Sequence, residues 1–139
     1  MLNEAKKILV RLNPNFQNLR DPVVRLSGGQ RQVIAIARAI YFDVKILIMD
    51  EPTAALGPSE TAMVATLIQQ LRQEGIGILL VSHDMHDVFN LCDRVMVMNR
   101  GCNAGTYKIE HVNKDDVLSL IIKGSLPDSW EPRHLQKMQ

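Results

Sequence analysis

The chain has 139 residues, of which 46% are hydrophobic, and its formal net charge is +1. This length suits one ordinary domain, and the near-neutral balance shows neither a nucleic-acid-binding surface nor an acidic tail. The longest apolar runs, such as 76–81, are far shorter than the roughly 20 residues that cross a bilayer, so we expect membrane association only through a partner. Cys92 and Cys102 form no C-x-x-C pair, and without a signal peptide this favours free thiols in a cytoplasmic protein.

The N-terminal part of the sequence predicts two helices separated by a loop. Apolar residues recur at helical spacing over residues 2–12, which indicates a first helix. Prolines interrupt the pattern over 13–25, which is typical of a loop. Ser27 then fits the N-cap of a second helix over 30–40.

Two short apolar runs predict parallel strands that are buried on both faces. These runs cover residues 46–49 and 76–81, and the first of them ends in Asp50 and Glu51. Between the two runs, a helical stripe begins near Pro58 and stops before Gly75. Carboxylates at the end of the first strand can therefore project into a cleft.

The C-terminal part predicts a helix, a hairpin and a last helix. Helical spacing resumes over 84–91, a third strand follows at 94–98, and a return strand over 105–109 completes the small hairpin. Asn113 fits the cap of the last helix, and Gly124 fits its stop.

The alternation of strands and helices predicts an α/β fold. We expect an open sheet of three parallel strands with flanking helices and a small C-terminal hairpin. Three such strands leave one sheet edge and part of both faces uncovered. Beyond residue 124, the polar, proline-bearing stretch 125–139 is expected to be an extension.

Ser27, Gly28 and Gly29 open the second predicted helix in a pattern that suits an anion site. The first backbone N–H groups of a helix are free, the dipole is positive at that end, and glycines let a phosphate approach the backbone. A plain serine cap followed by a flexible glycine pair is the alternative.

Asp50, Glu51 and His83 each follow a predicted strand. A carboxylate at the tip of a buried strand suits Asp50 to Mg²⁺ binding through water, beside the phosphates of a nucleotide. Glu51 would then polarise the attacking water as a general base, and His83 could hydrogen-bond the terminal phosphate. The alternatives are an acidic pair that caps the following turn and a solvated histidine.

In their order and spacing, these motifs resemble the ATP-binding subunit of ABC transporters. L-S-G-G-Q (26–30) is similar to the signature motif, I-L-I-M-D-E (46–51) to the Walker B strand, A-A-L-G (54–57) to the D-loop and V-S-H-D (81–84) to the switch-histidine loop. The resemblance covers roughly residues 2–124, and only the tail after Gly124 is unmatched. It implies a partial P-loop NTPase fold whose N-terminal phosphate-loop portion is missing, since no G-x-x-x-x-G-K-[ST] occurs in these 139 residues.

Within that family, the chain looks most like the importers of simple sugars. The similarity lies in D-E-P-T-A-A-L-G-P-S-E-T, C-D-R-V-M-V-M-N-R-G and the late I-I-K-G. Most of the family has Asp where this chain has Gly57, a departure that the sugar-importer branch often shares.

The resemblance implies that a second ATPase domain is one partner and that the two domains form a head-to-tail pair. In such a pair, Ser27, Gly28, Gly29 and Gln30 bind the ATP held by the opposite subunit. Closure of the pair would drive transmembrane permease subunits, which places the assembly in the cytoplasm, peripheral to the inner membrane.

The resemblance also implies ATP and Mg²⁺ as the ligands of the subunit's own residues. Asp50 would hold Mg²⁺ through water, and Glu51 and His83 would be the catalytic residues. The domains implied are a helical signature subdomain over 1–42 and the C-terminal part of the catalytic core over 43–124.

Two functions remain open from the sequence. The chain is either the C-terminal part of an ATP hydrolase that powers sugar import, inactive until an N-terminal part supplies the phosphate loop, or a non-hydrolysing fragment that binds intact ATPase or permease subunits. Nucleic acid is not an expected partner, because no basic stripe or aromatic platform is visible, and this disfavours an ABC-type ATPase of translation or DNA repair.

Overall fold

The structure is a computed structural model that describes residues 2–12 and 21–132, in two compact units that divide after His83. The first unit contains α1 (Leu2–Leu12), α2 (Gly28–Ile40), β1 (Ile46–Asp50), α3 (Pro58–Gln73) and β2 (Gly77–Val81). The second contains α4 (Met85–Leu91), β3 (Arg94–Asn99), β4 (Cys102–Lys108) and α5 (Lys114–Lys123). Every helix and strand expected from the sequence is present, and most of the predicted loop, residues 13–20, lies outside the described residues.

α2 begins at the residue that the sequence indicates. Ser27 is its N-cap, and the Ser27 Oγ accepts the backbone N–H of Gln30 at 3.3 Å. The side chain of Gln30 returns the contact, since its Oε1 accepts the N–H of Ser27 at 3.0 Å. This reciprocal capping box satisfies two backbone donors at the helix start.

β1 and β2 form a parallel pair with Asp50 opposite Val81, but the expectation of burial on both faces is wrong. Along β1, Leu47 and Met49 are buried, whereas Ile46 and Ile48 are 69% and 68% exposed. Successive side chains of a strand point to opposite faces. Only one face of the pair is therefore covered within this unit.

The third strand does not extend the parallel sheet in the described residues. β3 pairs antiparallel with β4, with Arg94 opposite Lys108 and Asn99 opposite Cys102, in a separate two-stranded sheet. The tight connection between Asn99 and Cys102 accounts for the antiparallel pairing of β3 with β4, because such short connections join antiparallel strands, whereas parallel strands need a crossover. The hairpin and the α/β class are confirmed, and the three-stranded parallel sheet is not.

The second unit has its own hydrophobic core. The buried members are Val88, Val95, Val97, Val112, Val117 and Leu120. Leu126 and Trp130 pack against this cluster, so the first part of the predicted extension 125–139 contacts the core. α5 starts at its predicted cap, where the Asn113 side chain accepts the N–H of Asp116 at 2.9 Å, and it ends at Gly124 with φ 79°. In the part of the chain described, no helix is both long and apolar enough to span a bilayer.

Candidate functional site

Glu51 continues the parallel ladder by one residue and then turns the chain away from it. Its backbone N–H donates to the carbonyl of Val81 at 2.9 Å. Its φ is +46°, in the left-handed region that a residue with a side chain rarely adopts. Such a conformation costs on the order of 1–3 kcal/mol and clusters at functional positions. The strain here aims the carboxylate across the end of β2.

Glu51 and His83 meet at the carboxyl ends of the two strands. Oε1 of Glu51 accepts the backbone N–H of His83 at 3.0 Å and lies 2.7 Å from the His83 Nδ1. The Glu51 side chain is 31% exposed and that of His83 is 85% exposed. Both described side-chain hydrogen bonds of Glu51 go to His83, 32 residues along the chain, and not to the turn that follows Glu51, where the alternative interpretation expected the carboxylate to act as a cap.

This contact has a consequence for the imidazole. An ionised carboxylate can only accept hydrogen bonds, so Nδ1 of His83 must carry the hydrogen that points to Glu51. In a neutral ring, Nε2 is then the unprotonated nitrogen, and it could donate to a phosphate only after a second proton has bound.

Asp50 lies beside this pair as the last residue of β1, and it is exposed. Among residues 2–12 and 21–132, no group of three or more His, Cys, Asp or Glu side chains could hold a metal ion. A cation at Asp50 would therefore need water and substrate oxygens to complete its shell. Mg²⁺ commonly binds in this way, through one or two carboxylates with phosphates and retained waters.

The glycine pair at the start of α2 is required by close packing. A Cβ on Gly28 would lie 2.6 Å from Leu56 Cδ2, and a Cβ on Gly29 would lie 2.8 Å from Met63 Cε and 3.0 Å from the Cβ of Glu60. The start of α2 thus presses against α3 and against the turn before it. The flexible glycine pair of the alternative interpretation is not what these contacts show.

The sequence reasoning missed Glu60, in the first turn of α3. Its Oε1 accepts the N–H of Gly29 at 3.2 Å, and its Oε2 accepts the N–H of Gly57 at 3.3 Å. The pKa of Glu60 is lowered from 4.5, chiefly by the hydrogen bond from the Ser27 hydroxyl and then by the N–H groups of Gly29 and Gly57. A glutamate three residues after the cap position Gly57 was the available signal, since it fits one half of a capping box.

The predicted site residues thus fall into two groups in the first unit. Asp50, Glu51 and His83 lie at the carboxyl ends of β1 and β2, and residues 27–30 form the start of α2. Within the second group, the side chain of Gln30 is engaged in the capping box. The chemistry available is a carboxylate pair beside an imidazole in the first group and helix-terminal donors in the second.

Comparison with known proteins gives a family. The family described as ABC transporter matches residues 1–54. The chain is 36% identical over 126 residues to the xylose/arabinose import ATP-binding protein XylG of Sulfolobus acidocaldarius, an alignment that covers 91% of this chain and 50% of that protein. Ribose import ATP-binding proteins of several bacteria match as well. The chain spans about half or less of the length of these curated relatives.

Solved structures give the same result. A metal-chelate type ABC transporter in an inward-facing conformation superposes with a TM-score of 0.77 at 27% identity, covering 87% of this chain and 48% of that one. A dimeric ATP-binding cassette in a post-hydrolysis state, bound to ADP and Pi, superposes with a TM-score of 0.66 at 26% identity, covering 77% of this chain and 46% of that one. The chain is therefore similar to ABC transporter ATP-binding proteins from the signature motif onward, and its similarity includes import proteins for simple sugars.

Proposed function

We propose that this chain supplies the hydrolytic residues of an ABC transporter ATPase. The observation that carries the proposal is the contact between Glu51 and His83 beside Asp50, at the ends of two parallel strands. Ligands of open α/β sheets bind at the carboxyl ends of the strands. Two carboxylates and an imidazole, which can interact with a phosphate and a water, therefore lie where a substrate of this fold is expected.

Glu51 is the proposed general base. A base must remain ionised and come within hydrogen-bond reach of the attacking water. One oxygen of Glu51 is held by His83, which fixes the carboxylate in place, and the other oxygen can accept a water proton. His83, held by the same contact, would donate to the terminal phosphate of ATP through Nε2 once the ring carries a second proton.

Asp50 is the proposed residue for Mg²⁺. Its exposed carboxylate can accept hydrogen bonds from waters of a bound cation, which fits a loosely held ion completed by substrate oxygens. When bound, Mg²⁺ would neutralise charge on the β and γ oxygens of ATP.

Ser27, Gly28, Gly29 and Gln30 are proposed to face the ATP of a second subunit. The structural relative bound to ADP and Pi is a dimer, which supports a paired arrangement. A two-fold pair is isologous, so each copy would contribute the start of its α2 to the nucleotide of the other.

The proposed cargo is a simple sugar, and the proposed partners are transmembrane permease subunits. The relatives of this chain include import ATP-binding proteins for xylose/arabinose and for ribose. The assembly would then act on the cytoplasmic side of the inner membrane. Because these 139 residues contain no phosphate-loop motif, we propose that activity needs a second part that carries one.

Complementation tests this proposal. The chain is co-expressed with an N-terminal part of a related ATPase that carries a phosphate loop, and ATP hydrolysis is measured. We expect activity to appear, to fall by at least about 10²-fold with Glu51→Gln because the general base is lost, and to persist with the exposed control Glu110→Gln. A mixture that stays inert at every concentration contradicts the proposal.

A non-hydrolysing interaction fragment is the second candidate function. Two surfaces favour it. Beside the exposed Ile46 and Ile48, Leu79 and Val81 of β2 are 50% and 48% exposed. The signature helix α2 also borders an open groove of about 340 Å³, shared with α1. The groove is lined by Ala5, Ile8, Leu9, Ile34, Ala37, Arg38, Tyr41 and Phe42.

A pull-down tests the second candidate. The tagged chain is mixed with an intact ATPase of the sugar-importer branch and, separately, with the permease subunits of the same system. Retention of either partner, lost when Ile46 and Ile48 are both changed to Ser, supports the interaction fragment. Absence of any association removes it.

A further inference from the structure

Glu60 engages hydrogen-bond donors that belong to the proposed phosphate site. The donors at the start of α2 include the hydroxyl of Ser27 and the backbone N–H groups of Gly28 and Gly29. The N–H of Gly29 donates to Oε1 of Glu60 at 3.2 Å, and the Ser27 hydroxyl is the main cause of the lowered pKa of that carboxylate. The Ser27 oxygen accepts the N–H of Gln30 with a lone pair, so the hydrogen of the hydroxyl remains available to donate to Glu60.

The charge of Glu60 opposes a second anion at the same place. Its lowered pKa means that the carboxylate is ionised at neutral pH. Two negative charges at hydrogen-bond separation repel each other. A phosphate can therefore bind a donor that Glu60 holds only by displacing the carboxylate. The start of α2 thus already has an anion from within the chain beside Ser27 and Gly29.

The second carboxylate oxygen of Glu60, Oε2, has a hydrogen-bond partner outside α2. Oε2 accepts the N–H of Gly57 at 3.3 Å, within the first turn of its own helix. The positive charge of Arg31 also favours the ionised form of the carboxylate. Glu60 can therefore release Gly29 without becoming an unpaired charge.

We propose that Glu60 is a positioning residue that sets how strongly the start of α2 binds phosphate. Its carboxylate holds the Ser27 hydroxyl and the Gly29 N–H until an incoming phosphate takes its place. Engagement of a nucleotide then frees the start of α2 from the first turn of α3, which follows the 51–57 turn. This inference rests on the proposed function, because that function assigns this end of α2 to phosphate.

The test is a phosphate titration of the full 139-residue chain, labelled with ¹⁵N and held at constant ionic strength. Inorganic phosphate is the probe, and the amide signals of Ser27 and Gly29 are the readout. Glu60→Gln keeps the size of the side chain and removes its charge. Asp43→Asn is the matched control, since it also removes one negative charge, near the opposite end of α2, and Asn tolerates the φ of +51° found there.

We expect Glu60→Gln to bind phosphate about tenfold more tightly than the wild-type chain, and Asp43→Asn to match the wild type. Equal affinities of the wild type and Glu60→Gln, or no phosphate-dependent shift at Gly29 in either, would overturn the inference.

A measurement on the unsubstituted chain guards against a variant that does not fold. As the pH falls through the lowered pKa of Glu60, the Gly29 amide signal should shift and phosphate should bind more tightly. No such pH dependence contradicts the inference. Failure of the complementation assay alone would count against the proposed function and leave this phosphate measurement intact.

Discussion

Oε1 of Glu51 accepts the backbone N–H of His83 and lies 2.7 Å from the same residue's Nδ1, so one carboxylate oxygen fixes both the chain and the ring of His83. The contact joins the ends of two strands through side chains 32 residues apart. It defines the protonation pattern of the imidazole and the direction of the Glu51 side chain together. Any role of either residue with ATP therefore depends on the other.

The first prediction concerns the tautomer of His83. Because Glu51 can only accept, the neutral ring should carry its hydrogen on Nδ1. Long-range ¹⁵N–¹³C NMR correlations should show this form in the wild type, and Glu51→Ala should shift the ring toward the Nε2–H form. The ring of His111, in the second unit, serves as the internal control. An unchanged His83 ring in Glu51→Ala would show that the contact is not formed in solution.

The second prediction concerns the packing at the start of α2. Gly29→Ala places a Cβ 3.0 Å from the Cβ of Glu60, which cannot move away as a flexible side-chain end can. We expect a loss of about 1–3 kcal/mol in the free energy of unfolding, measured with urea, from overpacking. Gly77→Ala is the control, because its added Cβ would make only ordinary contacts, 3.4 Å from the carbonyl oxygen of Lys45 and 3.7 Å from Cγ1 of Ile46, and we expect a change within about 0.5 kcal/mol. Similar losses for both variants would argue against the close packing.

The third prediction is a pH dependence of stability that arises from Glu60. The pKa of Glu60 is lower in the folded chain than its ordinary value of 4.5, because Ser27, Gly29 and Gly57 donate to the ionised form. Its stabilising contribution is therefore complete above pH 4.5 and is lost as the pH falls through the lowered pKa. Urea unfolding followed between pH 6 and pH 3 should show a shallower decline for Glu60→Gln than for the wild type. Parallel curves would mean that the carboxylate does not hold these donors.

The fourth prediction concerns the core of the second unit. Leu120 is fully buried and Ile122 is 71% exposed, although both lie on α5. Leu120→Ala should cost about 2–5 kcal/mol in the free energy of unfolding, and Ile122→Ala less than about 0.5 kcal/mol. Trp130, the single tryptophan of the chain, packs against this core and reports its unfolding by fluorescence. Equal effects would contradict the assigned burial.

The sequence predicts elements well where a local signal exists. Ser27 and Asn113 are oxygen-bearing caps, Gly124 adopts the positive φ that favours glycine, and the helices begin and end beside them. Burial depends on neighbours that periodicity does not reveal. The apolar run 46–49 gave no means of knowing that Ile46 and Ile48 would face an uncovered side of the sheet.

The sequence predicted which residues form the candidate site, but it did not predict the hydrogen bonds between them. Strand ends place Asp50, Glu51 and His83 at one edge of a parallel pair, which the apolar runs indicate. Glu51 reaches His83 from a left-handed φ, and no sequence pattern marks that conformation. Glu60 escaped notice because its contact with Gly29 joins residues on two helices that are 31 positions apart in the chain.

The central claim is that this chain holds residues for cleaving a terminal phosphate but not the loop that grips the nucleotide. Four charge-assisted phosphate contacts at about 1.5–3 kcal/mol each would supply roughly 6–12 kcal/mol, which is comparable with the whole of micromolar binding at about 8 kcal/mol. Isothermal titration of the purified chain with ATP and Mg²⁺ measures this directly. We expect binding no tighter than the millimolar range, and a micromolar dissociation constant would contradict the account.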